Sequence, residues 1–229
     1  MSAASGAARL VLRGEDGAVM ADGRRWCAEA DAVDESLLDR AVPPVLDVGC
    51  GPGRHVLALA RRGVAGLGLD IDRSLVRLAR SRGAPVAEAS IFGPVPAAGT
   101  WATALLLDGN IGIGADPVAL LAAVASVLAP RGRILAEVAP WPTAASGYAG
   151  RGPIARVDHD GRLGSPFHWC VVDATELARF AAAARMPVTA QWSSGGRCFA
   201  QFDLARAGGE SPQASRNAKL GQRGVRGPT

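Results

Sequence analysis

A glycine-rich turn in the first half of the chain carries the residue types best suited to bind a small ligand. Residues 45–54, Val-Leu-Asp-Val-Gly-Cys-Gly-Pro-Gly-Arg, combine a short apolar run with three glycines at alternate positions. The run is typical of a strand buried on both faces, and residues 54–62 have the apolar spacing of a helix. A strand, a glycine turn and a helix in this order present unpaired backbone N–H groups to a ligand. The alternative is a tight turn that only packs the helix on the strand.

A carboxylate follows the next apolar run at a distance suited to a ribose contact. Residues 65–72, Ala-Gly-Leu-Gly-Leu-Asp-Ile-Asp, predict a second strand with Asp70 at its tip. This acid lies about 20 residues after the first strand, and a carboxylate there can accept hydrogen bonds from both ribose hydroxyls. Asp72 has the position of an N-cap for a helix predicted over residues 73–82.

These two elements resemble motif I and the second strand of the class I S-adenosylmethionine-dependent methyltransferases. The motif has the common form Asp/Glu-x-Gly-x-Gly-x-Gly, which the chain matches at Asp47-Val48-Gly49-Cys50-Gly51-Pro52-Gly53. The dinucleotide fingerprint Gly-x-Gly-x-x-Gly instead requires a glycine where this chain has Arg54. The resemblance therefore implies S-adenosylmethionine as cofactor and S-adenosylhomocysteine as product, with a nicotinamide oxidoreductase as an alternative.

The resemblance also implies which residues contact the cofactor. Asp70 would bind the ribose and Ile71 would line the adenine face. The family usually has an acid after the third strand, where this chain has Ser90 and Ile91, so a weaker hydrogen bond to adenine is expected. The full expected set is Asp47, Gly49, Cys50, Gly51, Gly53, Asp70, Ile71, Ser90, Ile91, Asp108, Gly109, Asn110 and Arg25.

A second polar turn follows the fourth predicted strand, residues 101–108. Ligands of open α/β sheets lie beyond the carboxyl ends of the strands, so Asp108, Gly109 and Asn110 should lie near the transferred methyl group. The alternative is a flexible turn before a helix. This turn differs from the Asn/Asp-Pro-Pro-Tyr/Phe motif of methyltransferases that act on the amino groups of bases, which argues against DNA methylation.

Two residues are candidate catalytic groups. Glu137, near the end of the fifth strand, could face the site as a general base or pair with an arginine. His168 lies in an irregular stretch, 141–172, and could contact the acceptor or act as a base, although a lone histidine is more often structural. A metal-assisted mechanism would need several more carboxylates than Asp108 and Glu137, so no metal is expected.

The predicted fold is α/β: a doubly wound, seven-stranded, mostly parallel sheet with a reversed last strand, in three α/β/α layers with a small irregular cap. A single methyltransferase domain is expected over residues 1–205, in which 9–42 form an N-terminal cap or lid and 139–172 an insert that covers the acceptor. In the lid, Arg24 or Arg25 could pair with the methionyl carboxylate and Trp26 could cover the site, or the two arginines could be a solvated pair beside a packed Trp26. Residues 206–229 have almost no core residues and are expected to be a disordered basic tail.

Charge and composition limit the classes of partner that the protein is expected to bind. The chain has 25 basic and 21 acidic residues, and the segment from Arg206 onward carries the whole net charge of +4. The remaining body is near neutral and lacks the basic excess with which nucleic-acid enzymes neutralise phosphates. Four widely spaced cysteines, the lack of a signal pattern and the lack of a long apolar run predict a cytoplasmic protein without membrane segments.

The sequence thus predicts a methyltransferase, EC 2.1.1.-, that moves a methyl group to an O, N or C nucleophile of a small-molecule acceptor. One alternative is a protein that binds S-adenosylmethionine without transferring the methyl group. Another is a methyltransferase acting on RNA, through the basic tail, or on protein. The sequence leaves the acceptor and the oligomeric state open.

Overall fold

The computed structural model describes residues 10–17, 19–140 and 153–204. The helices are α1 (Ala32–Leu38), α2 (Arg54–Arg61), α3 (Arg73–Ser81), α4 (Pro117–Val127) and α5 (Leu177–Ala183). Short 3-10 helices span Gly23–Cys27 and Asn110–Gly112. The strands are β1 (Leu10–Gly14), β2 (Val19–Asp22), β3 (Val45–Val48), β4 (Gly66–Asp70), β5 (Val86–Glu88), β6 (Trp101–Leu106), β7 (Leu128–Val138), β8 (Ile154–His159), β9 (Arg162–Leu163), β10 (Phe167–His168), β11 (Val188–Ser194) and β12 (Arg197–Asp203).

The central sheet has seven strands in the order β11-β12-β7-β6-β3-β4-β5. The pairs from β7 to β5 are parallel, whereas β12 runs antiparallel to both β7 and β11. The expected seven-stranded, mostly parallel sheet with a reversed last strand is confirmed.

Alternate residues of the central strands enter two different cores. Ala104 and Leu106 lie in a buried cluster with side chains of α4 and α5, whereas Leu105 lies in a cluster with side chains of α1 and α2. Successive side chains of a strand point to opposite faces of its sheet. Helices therefore cover both faces, and the three layers α/β/α follow from this alternation.

The helix start that the sequence predicts at Asp72 is present in the structure, and a second capped helix start follows β6. The Asp72 side chain accepts hydrogen bonds from the Ser74 and Leu75 N–H groups at the start of α3. The Asp116 side chain accepts one from Ala119, and Pro117 occupies the first position of α4. These caps fix the points at which the chain leaves the sheet and enters each helix.

The cap differs from the expected irregular segment, because it is an antiparallel sheet. It has the order β10-β8-β1-β2, with β9 paired to β8, so it combines residues before the central sheet with residues inserted after β7. The hairpin between β8 and β9 turns at Asp160-Gly161, both with positive φ, which is the Asp-Gly signal of a two-residue hairpin. Arg13 of β1 and Asp158 of β8 form an ion pair of 2.7 Å across the two segments.

Some predictions concern residues outside the part that the structure describes. The tail, 206–229, and residues 141–152 of the expected acceptor cover lie outside it. The single-domain division of the chain stays a prediction. No helix among the described residues has the length and the apolar character needed to span a membrane.

Candidate active site

A cavity of about 260 Å³ lies where β3, β4, β5 and β6 end, beneath the cap sheet. The strand ends and the turns after them contribute Val48, Gly49, Cys50, Gly51, Leu69, Asp70, Ile71, Ala89, Ser90, Ile91, Phe92, Asp108 and Asn110. The cap and the cover contribute Leu12, Trp26, Val157, Ser165, Phe167, His168 and Trp169. The cavity therefore lies between the two sheets, with the glycine turn on its floor.

The glycine turn brings backbone to the cavity surface. Gly49 and Cys50 donate hydrogen bonds to the Leu69 carbonyl at 2.8 and 2.9 Å, which fastens the turn to β4. Gly51 has φ +53, and a Cβ added there would meet no protein atom within 4 Å. Because Gly51 also lines the cavity, its backbone is open to a ligand. Gly53 has a different role, since it is the N-cap of α2 and a Cβ there would lie 2.8 Å from Ala84.

Asp70 stands at the tip of β4 as expected, on the wall of the cavity. Its two carboxylate oxygens accept hydrogen bonds from the Gly51 and Asp72 N–H groups, both at 2.8 Å. Burial raises the pKa of Asp70 to about 6, and the two backbone hydrogen bonds offset this effect only in part. A carboxylate has about four acceptor positions, so Asp70 retains acceptor capacity for a ligand.

The predicted adenine side of the cavity is apolar. Ile71 is 48% exposed and lines the cavity together with Ser90 and buried Ile91. Phe92, which sequence reasoning did not select, also lines it with half of its surface exposed. Its aromatic side chain directly after Ser90-Ile91 was the signal available in the sequence.

The turn after β6 is tied to the glycine turn. The Asn110 amide donates hydrogen bonds to the backbone oxygens of Val48 at 2.9 Å and Gly49 at 2.8 Å. Asp108 lines the cavity with a positive φ of 55°, an uncommon backbone conformation for a residue other than glycine. Gly109, an expected cofactor contact, does not line the cavity, because the Trp169 ring packs within 2.9 Å of the place of its missing Cβ.

Arg54 is a site residue that sequence reasoning did not select. It is 2% exposed, and its Nη2 donates to both carboxylate oxygens of Asp108 at 2.8 Å. Its Nη1 donates to the Arg25 backbone oxygen at 3.0 Å. The sequence held one signal for this role of Arg54. It is a charged residue on the inward face of the first turn of α2, and a buried charged residue needs a buried partner.

Asp34 of α1 joins the elements around Arg54. Its carboxylate lies 2.7 Å from Nη1 of Arg197 and 3.3 Å from Nε of Arg54. Burial opposes its ionisation, but hydrogen bonds from His55 and Arg197 hold the pKa of Asp34 well below its ordinary value. The ionised carboxylate therefore connects α1, α2 and the last hairpin.

His55 is a second site residue that the sequence analysis missed. It is buried at the cavity wall, with Asp34 3.5 Å from Nε2 and Asp47 3.6 Å from Nδ1. Burial and Arg54 disfavour its charge, but Asp34 and Asp47 outweigh them and raise the pKa of His55 to about 9. The two carboxylates therefore favour the protonated form of His55.

Asp47 and Arg25, like Gly53 and Gly109, are expected cofactor contacts that lie outside the cavity lining. Asp47 is 1% exposed and faces His55, because strand pairing buries it in the central sheet. Arg25 points instead to Asp31 at 2.8 Å and Asp34 at 3.3 Å, so its guanidinium is held by α1. The sequence pattern did not reveal these partners, which are His55 for Asp47 and the carboxylates of Asp31 and Asp34 for Arg25.

Glu137 forms an ion pair rather than facing the cavity. Its carboxylate oxygens lie 2.7 Å from Nε and 2.5 Å from Nη2 of Arg197, and it accepts the Asp108 N–H at 2.9 Å. It does not line the cavity. Glu137 therefore does not have the position expected of a catalytic base. It has the alternative role that the sequence allowed, a carboxylate paired with an arginine.

His168 lies at the cavity edge and is exposed. Its backbone oxygen accepts the Gly114 N–H at 2.8 Å, and the Cys170 N–H two residues later bonds to the Gly112 oxygen at 3.0 Å. Hydrogen bonds with the 3-10 helix Asn110–Gly112 and the residues just after it therefore hold the cover strand, β10, in place. Trp169, between these contacts, is 9% exposed and closes the cavity on this side.

Comparison with known proteins identifies the same region. A family model described as a methyltransferase domain matches residues 45–132, which contain the glycine turn, Asp70 and Asp108. No curated protein sequence matches the chain.

Solved structures share the fold at low sequence identity. A methyltransferase from Bacteroides fragilis, in complex with S-adenosylhomocysteine, is 22% identical with a TM-score of 0.69 over 86% of this chain and 88% of its own. The glycopeptide N-methyltransferase MtfA, also in complex with S-adenosylhomocysteine, is 19% identical with a TM-score of 0.58 over 78% and 91%. The 1,6-didemethyltoxoflavin-N1-methyltransferase of Burkholderia thailandensis is 18% identical with a TM-score of 0.51 over 75% of both chains. At these identities the likeness concerns the fold.

Proposed function

We propose that the chain is a class I S-adenosylmethionine-dependent methyltransferase and that it methylates an O, N or C atom of a small-molecule acceptor. The observation that carries the proposal is that one cavity is lined by residues of both the central sheet and the cap. Its volume is about 260 Å³, and aromatic side chains of the cap and cover, Trp26, Phe167 and Trp169, lie over it. A cavity of this kind favours a small, partly apolar molecule over a polymer.

The residues at the cavity wall fit the cofactor. The open backbone at Gly51 would let the cofactor approach closely, and the remaining acceptor capacity of Asp70 suits ribose hydroxyls. Ile71, Ile91 and Phe92 would pack against adenine, with Ser90 as a hydrogen-bonding partner. S-adenosylmethionine supplies a methyl group bound to a positively charged sulfur.

The protein contributes mainly positioning and the exclusion of water. The cap sheet covers the cavity, and the Asn110 amide fixes the turn after β6 against the glycine turn. Holding an acceptor atom in line with the bond that breaks accounts for much of the acceleration of such a transfer. Asp108 is engaged by Arg54, so His168 is the candidate base for an acceptor that must lose a proton.

The relatives agree with a small acceptor without specifying it. The Burkholderia enzyme is described with bound 1,6-didemethyltoxoflavin, and MtfA is named as a glycopeptide methyltransferase. We also propose that the protein is cytoplasmic, in line with its four free cysteines.

Transfer of a radioactive methyl group tests the proposal. The protein and labelled S-adenosylmethionine are incubated with cell extract, which is then separated into small-molecule, RNA and protein fractions. We expect the label in the small-molecule fraction, and much less of it with Asp70→Ala at a cofactor concentration near the Kd of the unaltered protein. Label in RNA or protein would overturn the proposed acceptor class, and bound cofactor without transfer to any fraction would favour a binding protein.

Replacement of His168 tests its role separately. We expect His168→Asn to lower kcat without changing the affinity for S-adenosylhomocysteine, because the residue lies at the edge of the cavity. An unchanged kcat over the whole pH range would exclude His168 as the base.

A further inference from the structure

The amino-acid end of S-adenosylmethionine carries an ammonium and a carboxylate on one carbon atom, and a specific site needs a partner for each. We infer that Arg54 binds this carboxylate and that Asp108 binds this ammonium, so that one buried ion pair recognises both charges. The inference rests on the proposed function and replaces Arg25, whose guanidinium is held by Asp31 and Asp34 outside the cavity.

Arg54 is the only arginine or lysine that lines the cavity among the described residues. It follows the glycine turn after β3 directly, whereas the expected adenine residues follow β4 and β5. Guanidinium groups bind carboxylates through paired N–H groups. Nη1 has two N–H groups and one protein acceptor, the Arg25 oxygen, so it can donate to a ligand carboxylate.

Asp108 is the cavity carboxylate best suited to the ammonium. Three carboxylates line the cavity among the described residues, namely Asp70, Asp72 and Asp108. Asp70 is assigned to ribose, and Asp72 caps α3. Asp108 is 22% exposed, and each of its oxygens keeps an acceptor position beyond the bond from Arg54.

The surroundings hold both groups in place before a ligand binds. Asp34 and the Arg25 oxygen fix the guanidinium of Arg54, and Glu137 accepts the backbone N–H of Asp108. Opposite charges held side by side match a zwitterion, and little conformational entropy is lost when the ligand binds. Arg54 and Asp108 would thus distinguish ligands that have both charged groups of the amino-acid end from ligands that lack one of them.

Calorimetric titration with four ligands tests the assignment. These are S-adenosylhomocysteine, its decarboxylated analogue, its deaminated analogue, and 5′-methylthioadenosine, which lacks both charged groups. We expect the unaltered protein to lose about tenfold or more in affinity when either group is removed, because each forms a charged hydrogen bond.

Two conservative variants separate the charges. Arg54→Lys keeps the charge but loses the planar guanidinium, and should weaken S-adenosylhomocysteine and the deaminated analogue by about tenfold while changing the other two ligands less than about twofold. Asp108→Asn should weaken only ligands that retain the ammonium. Arg62→Lys, at the other end of α2 and paired with Glu35 and Asp39, is the matched control and should change none of the affinities.

The outcomes distinguish this inference from the proposed function. If Arg54→Lys weakens 5′-methylthioadenosine as much as S-adenosylhomocysteine, Arg54 supports the fold only, and the inference is overturned. If a variant does not fold, the titrations of the unaltered protein test the inference alone. Equal affinity of the unaltered protein for all four ligands would overturn the inference. If the unaltered protein binds none of the ligands, the proposed function itself fails.

Discussion

The Asp70 carboxylate accepts a hydrogen bond from the Gly51 N–H at 2.8 Å and so joins the tip of β4 to the turn after β3. Its second oxygen accepts the Asp72 N–H at 2.8 Å, at the start of α3. One side chain therefore shapes the glycine turn and also lies on the cavity wall. Changes at Asp70 should affect cofactor binding for both reasons.

Replacement of Asp70 by alanine should lower cofactor affinity by about tenfold or more, because a hydrogen bond to a charged group contributes about 1.5–3 kcal/mol. Titration calorimetry with S-adenosylhomocysteine measures this. Glu88→Ala is the control, since Glu88 ends β5 but pairs with Arg73 outside the cavity lining. Equal affinities of Asp70→Ala and the unaltered protein would refute the ribose assignment.

Cofactor affinity should depend on pH through the same carboxylate. Burial raises the pKa of Asp70 to about 6, and only the ionised form accepts hydrogen bonds from both ribose hydroxyls. Binding then favours the deprotonated state, so the Kd should rise about tenfold per pH unit below about pH 6 and level off above about pH 7. Calorimetry between pH 5 and 8 tests this, with Asp70→Asn expected to give a flat profile. A flat profile for the unaltered protein would contradict the prediction.

Loss of Asp34 should destabilise the protein strongly. Its removal leaves the buried charges of Arg54, His55 and Arg197 without a central partner, which costs about 3–5 kcal/mol. Urea unfolding of Asp34→Ala measures the change in the free energy of unfolding. Asp39→Ala removes a carboxylate that is 74% exposed and pairs with Arg62, and should cost less than about 1 kcal/mol. Similar losses in the two variants would rule out a central role for Asp34.

Stability should decrease at alkaline pH through His55. Its pKa is raised to about 9 in the folded protein because Asp34 and Asp47 outweigh the effect of burial. A group whose pKa is raised by folding contributes stability that is complete below its unfolded pKa, about 6.5, and is lost as the pH rises through about 9. Urea midpoints at several pH values between 6 and 10 should show this decrease, and His55→Gln should reduce it. An equally steep decrease in His55→Gln would assign the effect to another group.

Local patterns in the sequence predicted several residues of the cavity wall. The Gly49–Gly53 turn, the position of Asp70 and the N-cap at Asp72 depend on a few adjacent residues, and the structure has each of them where the spacing predicts it. The sheet order follows from the same regular alternation of strands and helices.

Long-range pairing explains what the sequence did not predict. Arg25 pairs with Asp31 and Asp34, which are only 6 and 9 residues away, whereas Arg197, near the end of the described residues, pairs with both Asp34 and Glu137. Single-sequence patterns do not indicate such pairs. The cap sheet was missed for the same reason, because β1 pairs with β8, and strands β3 to β7 of the central sheet lie between them in the sequence.

Gly112 should be needed to keep the cover in place. A Cβ there would lie 1.7 Å from the Cys170 backbone oxygen, so Gly112→Ala must push the cover strand, with His168 and Trp169, away from the cavity. We expect a loss of stability of about 1–3 kcal/mol from this crowding and a reduced methyl transfer, measured by urea unfolding and by S-adenosylhomocysteine release. Gly93→Ala is the control, because the nearest atom to its added Cβ is 3.6 Å away and its neighbour Phe92 also lines the cavity. If both variants keep full stability and activity, close contact between this turn and the cover is not required for function.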